Sequence, residues 1–365
     1  MQHPSTASDG PIAGRPGMGR RALLRGLSAA SAVPFLSACG ARPMPAPGTR
    51  GRAALLLPLT GPRSDLGQIL RGAASLGGTT VGAGSEIEVL DSGDDAAGAV
   101  RAARAAVDGG ARMLIGPLFA EQARAVAEVV PRGIPVVALS NDDSLAGGPV
   151  FVYGVTPRHS ARAVFGYAAT RGIAETAMVV PPGAFGQRAV EGAVAVAREV
   201  GVSLRAPVTG TDASAVTRAL GGSARAIYLP AAGPDLPGLV QAARSAGAQP
   251  LGSVQWSSLD LAGRAEFDGA WVAAPDPLRF APFAQALAAQ GLPAGVVTGL
   301  VFDGVEMART LGRVGQQDRK GLLRKEGFRG VLGPYRILPS GLTARGLAVL
   351  GVESGGLTLL SSSGV

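Results

Sequence analysis

The sequence predicts an α/β fold with two lobes, each a parallel sheet flanked by helices. Short apolar runs alternate with helical stretches from residue 53 onward. Several of these runs are unbroken, as expected for strands that are buried on both faces. The alternation restarts near residue 158 after a first complete series. Together these observations favour two parallel sheets in series, with helices on both faces of each.

The first series of elements forms the predicted first lobe. Its expected strands are the apolar runs at 53–59, 86–91, 112–117 and 134–140. Its expected helices lie between them, at 68–76, 96–110 and 120–130. A strand–helix–strand order of this kind gives parallel strands joined by right-handed crossovers.

The second series begins with a helix at 158–172, whose start is fixed by Thr156 and by Pro157 at the first helical position. The expected strands that follow are 176–181, 202–208, 224–230, 251–256 and 269–274. The expected helices are 186–201, 213–220 and 234–247. The last part of the chain adds helices at 282–290 and 296–311 and closing strands at 335–338, 347–352 and 357–360.

This order predicts that the chain passes between the lobes more than once. The first lobe is expected to hold 53–153 and 279–332, and the second lobe 158–272 and 333–365. The expected crossings lie near 151–157, 273–278 and 333–336.

The N-terminal segment has the layout of a secretory signal peptide over residues 1–38. A basic head containing Arg20, Arg21 and Arg25 precedes a small apolar stretch that is too short to span a bilayer. The chain's only cysteine, Cys39, follows at once, so it has no disulfide partner within the chain. The stretch 36–39, Leu-Ser-Ala-Cys, resembles the lipobox of bacterial lipoproteins, which implies lipidation of Cys39 and attachment to a membrane.

Three further features of this segment bear on export. The adjacent arginines also resemble a twin-arginine signal, so the export route stays open between that system and the general secretory one. Met18 is an alternative start, which would make residues 1–17 an extension. Gly40 stands where lipoproteins retained in the inner membrane carry Asp, so the resemblance favours the outer membrane. Residues 39–52 contain three prolines and no apolar period, as expected of a flexible tether.

The net charge of +8 does not indicate a nucleic-acid binder, because it is concentrated in one segment. Residues 1–52 hold seven arginines and one acidic residue. The rest of the chain carries 27 basic and 25 acidic side chains, close to balance. We therefore expect no nucleic-acid partner.

Several segments resemble the type I periplasmic binding proteins that are similar to the leucine/isoleucine/valine-binding protein. These are 54–76, 115–140, 150–172 and 181–194, and the resemblance covers about 53–350. The family fold implies two lobes joined by a three-strand hinge, with a ligand in the cleft between them. This agrees with the general rule that open α/β sheets bind ligands at the carboxyl ends of their strands.

The loops at those ends supply the candidate cleft residues. They are Thr60, Leu118, Phe119, Ala120, Ser140, Asn141, Asp142, Phe185, Gln255 and Trp256. In the amino-acid binders, hydroxyl groups and helix N-termini hold the α-carboxylate, and an acid of the second lobe holds the ammonium. Here Phe119 and Ala120 stand where those binders present serines, and Gln255 and Trp256 stand at the position of the acid. The resemblance therefore implies an incomplete clamp for an α-amino acid.

The incomplete clamp and the lipobox favour one subgroup of these proteins. They resemble penicillin-binding protein activators, which regulate cell-wall synthases from the outer membrane. The alternative is a substrate-binding lipoprotein of a branched-chain-amino-acid-type ABC transporter. The expected partners are a membrane, through the lipid, and either a penicillin-binding protein or an ABC permease, with a small polar ligand possible in the cleft.

The sequence offers little support for an enzyme. No Gly-x-Ser-x-Gly elbow or phosphate-binding Gly-x-x-x-x-Gly-Lys loop is present. His159 is interpreted as a helix-cap residue rather than a general base. Asp91, Asp94 and Asp95 are interpreted as a loop and helix cap rather than a metal site. The segment 81–86 is interpreted as a hairpin or linker, and no cofactor or metal is expected.

Overall fold

The computed structural model describes residues 52–76 and 87–364. The signal peptide, Cys39 and the segment 81–86 lie outside the described residues. The described residues all belong to one compact unit, Pro47–Val365. Because the hydrophobic core lies within this unit, we expect it to fold without the residues that precede it.

The first sheet is entirely parallel, with strand order β2-β1-β3-β4-β5. Its elements are β1 (Arg52–Leu57), α1 (Ser64–Ala74), β2 (Ile87–Asp91), α2 (Ala96–Asp108), β3 (Ala111–Ile115), α3 (Ala120–Val129), β4 (Val136–Ala138) and β5 (Val150–Val152). The order confirms the predicted strand–helix alternation. Strand β5 overlaps the start of the stretch expected to cross between the lobes.

The second sheet has the strand order β15-β14-β11-β10-β9-β6-β7, and β8 also pairs with β6. The elements that follow β5 are α4 (Pro157–Thr170), β6 (Glu175–Val180), α5 (Ala184–Val200), β7 (Ser203–Leu204), β8 (Val208–Thr209), α6 (Ala213–Leu220), β9 (Ala226–Leu229), α7 (Leu236–Ser245), β10 (Gln249–Gly252) and β11 (Trp271–Ala274).

Two predicted strands of this sheet are shorter than expected. The run 202–208 is divided into β7 and β8, since Pro207 has no N–H to donate to a ladder. The run 251–256 ends as a strand at Gly252, and Val254–Ser258 forms a 3₁₀ turn. Ser253 begins this turn, because its side chain accepts a hydrogen bond from the Gln255 amide.

The closing part of the chain contributes a helix to the face of the first sheet and two strands to the second sheet. Its elements are α8 (Pro277–Ala288), α9 (Val296–Arg313), α10 (Arg319–Leu322), β12 (Tyr335–Ile337), β13 (Thr343–Arg345), β14 (Ala348–Glu353) and β15 (Gly356–Ser361). Helix α9 packs against β1, β2 and β3 of the first sheet. Strand β12 confirms the predicted strand at 335–338, but the sequence did not predict β13 or the hairpin that the two form. The Thr343 hydroxyl of β13 donates to the Val152 carbonyl. Strand β14 then pairs antiparallel with β11.

Apolar clusters cover both faces of each sheet. One continuous cluster joins the α1/α9 face of the first sheet to the α4/α5 face of the second. Helices α6 and α7 pack on the other face of the second sheet, and α2 and α3 on the other face of the first. This arrangement confirms the predicted α/β fold class, but the second sheet is mixed rather than wholly parallel, because β14 and β15 pair antiparallel. None of the helices in the described ranges combines the length and apolarity that crossing a bilayer requires.

A buried polar cluster lies where the chain passes between the sheets. The Arg345 guanidinium lies against the rings of Tyr153 and Tyr335, at 4.8 and 4.5 Å from their centroids, and the two rings contact each other edge to face. Its Nη1 is 3.6 Å from Asp303 Oδ2 on α9, and both side chains are almost completely buried. The cluster therefore links a crossing segment, the β12–β13 hairpin and α9.

Candidate ligand-binding cleft

A cavity of about 620 Å³ lies between the carboxyl ends of the first sheet and the 3₁₀ turn of the second. It brings together five of the predicted cleft residues: Leu118, Phe119, Ser140, Asn141 and Gln255. Ser257 and Ser258 also line it, and they belong to the loop 255–258 that was expected at the cleft. The remaining lining residues were not predicted; they are Leu139, Val155, Val254, Ala294, Gly295, Val296, Val297 and Leu300. The N-terminal end of α9 is thus part of the site, which its strongly apolar sequence did not indicate.

Two helices begin at this cavity. Phe119 precedes α3 and Gly295 precedes α9, and neither residue caps its helix with a side chain that accepts a hydrogen bond from the first turn. Phe119 is held in place by Arg63, whose guanidinium carbon lies 4.2 Å from the centroid of the ring. The first-turn N–H groups give each helix end a partial positive charge, which favours an acceptor or anionic group of a ligand.

The cavity lining is neutral. Among the described residues that line it, none has a charged side chain. Ser257 and Ser258 donate their hydroxyls to the carbonyls of Val254 and Gln255. The side-chain amides of Asn141 and Gln255 make no hydrogen bond within the described chain, so they are free to bind a polar group.

A much smaller cavity of about 10 Å³ continues the cleft into the second sheet. Phe185, a predicted cleft residue, lines it together with Tyr228 and Gln255. The Tyr228 hydroxyl is fully buried and has no hydrogen-bond partner, and burial raises the pKa of this phenol. Sequence reasoning missed Tyr228, because an apolar run such as 224–230 does not reveal which of its residues ends at a cleft.

Trp256 was predicted to line the cleft, but the structure places it in the core on the α6/α7 face of the second sheet. Its side chain is completely buried, its Nε1 donates to the Leu229 carbonyl at 2.9 Å, and its ring packs on Phe267. The 3₁₀ turn that replaces the end of the predicted strand directs the ring away from the cleft. Gly252 is required beneath it, since a Cβ there would come within 2.6 Å of the indole.

Three other predicted residues lie outside the 620 Å³ cavity. The Thr60 hydroxyl donates to Asp91 Oδ2 at 2.6 Å. Ala120 is the first residue of α3. Asp142 pairs with Arg124 at 3.2 Å and caps the 3₁₀ turn that begins at Asp143.

The charged groups of the cleft lie in a separate cavity of about 450 Å³. It shares Asn141 with the neutral cavity and is lined by Asp143 in the 3₁₀ turn after β4, by Arg158 on α4, and by Arg188 and Glu191 on α5. Burial raises the pKa of the Asp143 carboxyl, which has no ion-pair partner among the described residues. Asp143 belongs to the loop 140–144 that was expected at the cleft, and the predicted residue Asp142 also lines this cavity. No sequence motif marked Arg158, Arg188 or Glu191, which lie on α4 and α5.

The sequence and the fold identify the family. A profile of the periplasmic binding proteins matches residues 52–276, more than half of the chain. The chain belongs to this family. Membership implies an exported, periplasmic protein, and the known relatives are binding or regulatory proteins.

Solved structures that are similar to this binding protein include both transporter proteins and a regulatory protein. It is similar to a protein assigned to a branched-chain amino acid ABC transporter of Rhodospirillum rubrum, with 20% identity, a TM-score of 0.72, and coverage of 85% of this chain and 100% of the other. It is also similar to the C-domain of LpoA from Haemophilus influenzae, a regulator of PBP1A, with 16% identity and a TM-score of 0.68. The coverage is again 85% of this chain and 100% of the other.

A third relative is a solute-binding protein of an ABC transporter from Rhodopseudomonas palustris, solved with benzoate. It has 18% identity and a TM-score of 0.60, with coverage of 86% of this chain and 97% of the other. At these identities the similarity establishes the fold and no ligand or partner. No curated protein matches the sequence.

The cap interpretations of the polar residues in this periplasmic binding protein are confirmed. His159 Nδ1 accepts from the Thr156 amide at the start of α4, and its Nε2 lies 2.6 Å from the Thr343 carbonyl. Asp95 caps α2 by accepting from the Gly98 amide at 2.6 Å. Asp94 pairs with Arg63, and Asp91 accepts from the backbone amides of Leu59 and Thr60.

The position of Trp256 leads to a stability prediction. Trp256→Phe is expected to lower the free energy of unfolding by about 1–3 kcal/mol, because the Leu229 carbonyl loses its donor and part of the packing is lost. Chemical denaturation followed by circular dichroism measures this change. Trp271→Phe is the matched control, because Trp271 is only half-buried and makes an edge contact with Tyr167. An equal or smaller effect at Trp256 would contradict the placement.

Proposed function

We propose that this periplasmic binding protein is a non-enzymatic, lipid-anchored regulator of peptidoglycan synthesis that contacts a penicillin-binding protein. Cys39 is the proposed lipidation site, and Gly40 favours the outer membrane. The observation that carries the proposal is the neutral 620 Å³ cavity of the cleft, since none of the described residues that line it has a charged side chain. The same fold occurs in the LpoA C-domain, a regulator of PBP1A.

The neutral lining argues against an α-amino acid as the ligand. An ammonium enclosed in this cavity would have no carboxylate to pair with, and an unpaired buried charge is strongly unfavourable. A ligand closes the lobes only if it binds the closed state better than the open one. Because the cavity has no carboxylate to hold an ammonium group, we infer that the protein acts by contacting a partner protein through its surface.

The proposal predicts no binding of amino acids and an effect on a cell-wall synthase. Thermal unfolding of the unit Pro47–Val365 should not change across a panel of amino acids. A ligand present at 100 times its dissociation constant would stabilise the protein by about 2.7 kcal/mol, which this assay detects. The same protein should increase glycan polymerisation or cross-linking by a bifunctional penicillin-binding protein from the same organism. A saturable shift with an amino acid, or no effect on any such synthase, would contradict the proposal.

A second candidate is the substrate-binding protein of an ABC transporter for a solute without an ammonium group. It is favoured by the size of the cleft cavity, by the free Gln255 amide and by the unpartnered Tyr228 hydroxyl. A panel of neutral amides and carboxylates tests it in the same thermal assay. Gln241 is an exposed glutamine on α7, so Gln241→Ala is the control. This candidate would be favoured if a ligand stabilised Gln241→Ala but did not stabilise Gln255→Ala.

A further inference from the structure

A cavity of about 740 Å³ lies outside the cleft, between α8, α9 and the segment 324–335. It shares no lining residue with the neutral or the charged cavity of the cleft. Nothing in the family fold or in the proposed regulation assigns it a role.

The floor of this cavity is aromatic. Phe328 and Tyr335 stack with their ring centroids 5.3 Å apart and their planes 19° apart. Phe302, on α9, forms another part of the lining and is half-buried. Partly exposed aromatic faces of this kind bind flat apolar groups by offset or edge contacts.

Guanidinium groups surround the aromatic floor. Arg279 and Arg329 are exposed, and neither guanidinium group has an ion pair or hydrogen bond within the described chain. The Arg324 guanidinium lies 5.6 Å from the centroid of the Phe328 ring. Its Nε is buried, lies 3.5 Å from Glu326 Oε2 and makes no hydrogen bond.

The acidic groups at this cavity each lie beside an arginine. Glu306 pairs with Arg309 at 2.6 Å, and Asp303 faces Arg345 in the buried cluster. Glu326 lies against Arg324, as described above. The lining holds three arginines and three acidic residues, but Arg309 and Arg345 pair with two of the acids from outside the lining. The guanidiniums of Arg279 and Arg329 are therefore left without an acidic partner, next to an apolar surface.

We propose that this cavity is a second binding site, for an organic carboxylate with an aromatic body. The ring would pack on Phe302 and Phe328, and the carboxylate would accept hydrogen bonds from Arg279 and Arg329. Arginine suits this role because its planar guanidinium pairs with a carboxylate through two parallel hydrogen bonds and also stacks on aromatic rings. The site is independent of the cleft and goes beyond the proposed regulatory function.

Titration calorimetry of the unit Pro47–Val365 with 2-naphthoate tests the proposal, with 2-naphthamide as the uncharged analogue. We expect naphthoate to bind and naphthamide to bind at least about tenfold more weakly, because charge-assisted hydrogen bonds are about twice as strong as neutral ones. The double variant Arg279→Gln/Arg329→Gln should weaken naphthoate binding by about tenfold or more. Arg313→Gln should leave it unchanged within about twofold, since Arg313 is exposed on α9 but does not line the cavity.

The cleft variant Gln255→Ala separates this site from the cleft. Retained naphthoate binding in Gln255→Ala, together with loss in the double arginine variant, would support the second site. Loss in Gln255→Ala alone would place the probe in the cleft and overturn the proposal. Absence of naphthoate binding, equal binding of naphthamide, or an equal loss in Arg313→Gln would also overturn it, without bearing on the regulatory function.

Discussion

Replacing Arg345 by methionine should lower the free energy of unfolding by about 3–5 kcal/mol, the usual cost of removing one partner of a buried ion pair. Arg345 has no exposed surface on its side chain, and its Nη1 faces Asp303 Oδ2. The substitution leaves the Asp303 carboxylate buried, with the Val331 amide as its remaining close donor at 2.8 Å. It also removes the cation that contacts the Tyr153 and Tyr335 rings.

Guanidinium chloride unfolding at neutral pH measures this effect. Arg313→Met is the matched control, because Arg313 is exposed, and it should change the stability by less than about 0.5 kcal/mol. The double variant Asp303→Asn/Arg345→Met should be more stable than Arg345→Met alone, since no uncompensated charge remains buried. If the stability of Arg345→Met were within about 1 kcal/mol of the wild type, the loss of stability would be well below the usual cost of breaking a buried ion pair. The pair would then not be a stabilising link.

The second large effect is a loss of stability at acidic pH that depends on His159. Burial lowers the pKa of His159 to about 4, and the nearby positive charges of Arg345 and Arg162 lower it further. The contact of Nε2 with the Thr343 carbonyl acts in the opposite direction and raises this pKa. The unfolded chain binds a proton near pH 6.5, so it takes up more protons than the folded protein between about pH 6.5 and 4. The His159 contribution is therefore fully present above this range and falls by about 3 kcal/mol as the pH drops through it.

Asp303 acts in the opposite direction. Burial raises its pKa to about 6, against the opposing effect of Arg345. The folded protein therefore binds a proton at Asp303 more readily than the unfolded chain does, and this group adds stability as the pH falls from about 6 toward 4. In the wild type this gain partly offsets the loss of stability due to His159. The pH dependence of the whole protein alone cannot separate the two groups, so a variant is required.

His159→Asn isolates the histidine. The asparagine side chain keeps an acceptor for the Thr156 amide but cannot be protonated in this range. We expect the variant to be less stable than the wild type at pH 7.5, and the difference to shrink or reverse by pH 4. Urea unfolding at several pH values measures both curves. Parallel curves across this range would contradict the assignment of the acid sensitivity to His159.

The local features of the chain were readable from the sequence because they depend on neighbouring residues. The start of α4 at Thr156 and Pro157, and the cap of α2 at Asp95, follow from side chains within three positions of the groups that they serve. The apolar runs of β1 and β3 identified buried strands for the same reason. In contrast, the division of 202–208 into two strands and the 3₁₀ turn after Gly252 depended on single residues whose effect the run of apolar residues concealed.

The sequence by itself determined the order of strands and helices and the fold class. It also showed that Gln255 stands where the amino-acid binders carry an acidic residue. Only the tertiary structure decided which side chains meet. It placed Trp256 in a core and Tyr228 at the cleft, although both belong to apolar stretches at strand ends. It also brought Arg345 to Asp303, 42 positions earlier in the chain, to form a buried pair. Periodicity reports whether a residue is buried, whereas its neighbours depend on contacts between segments that are distant in sequence.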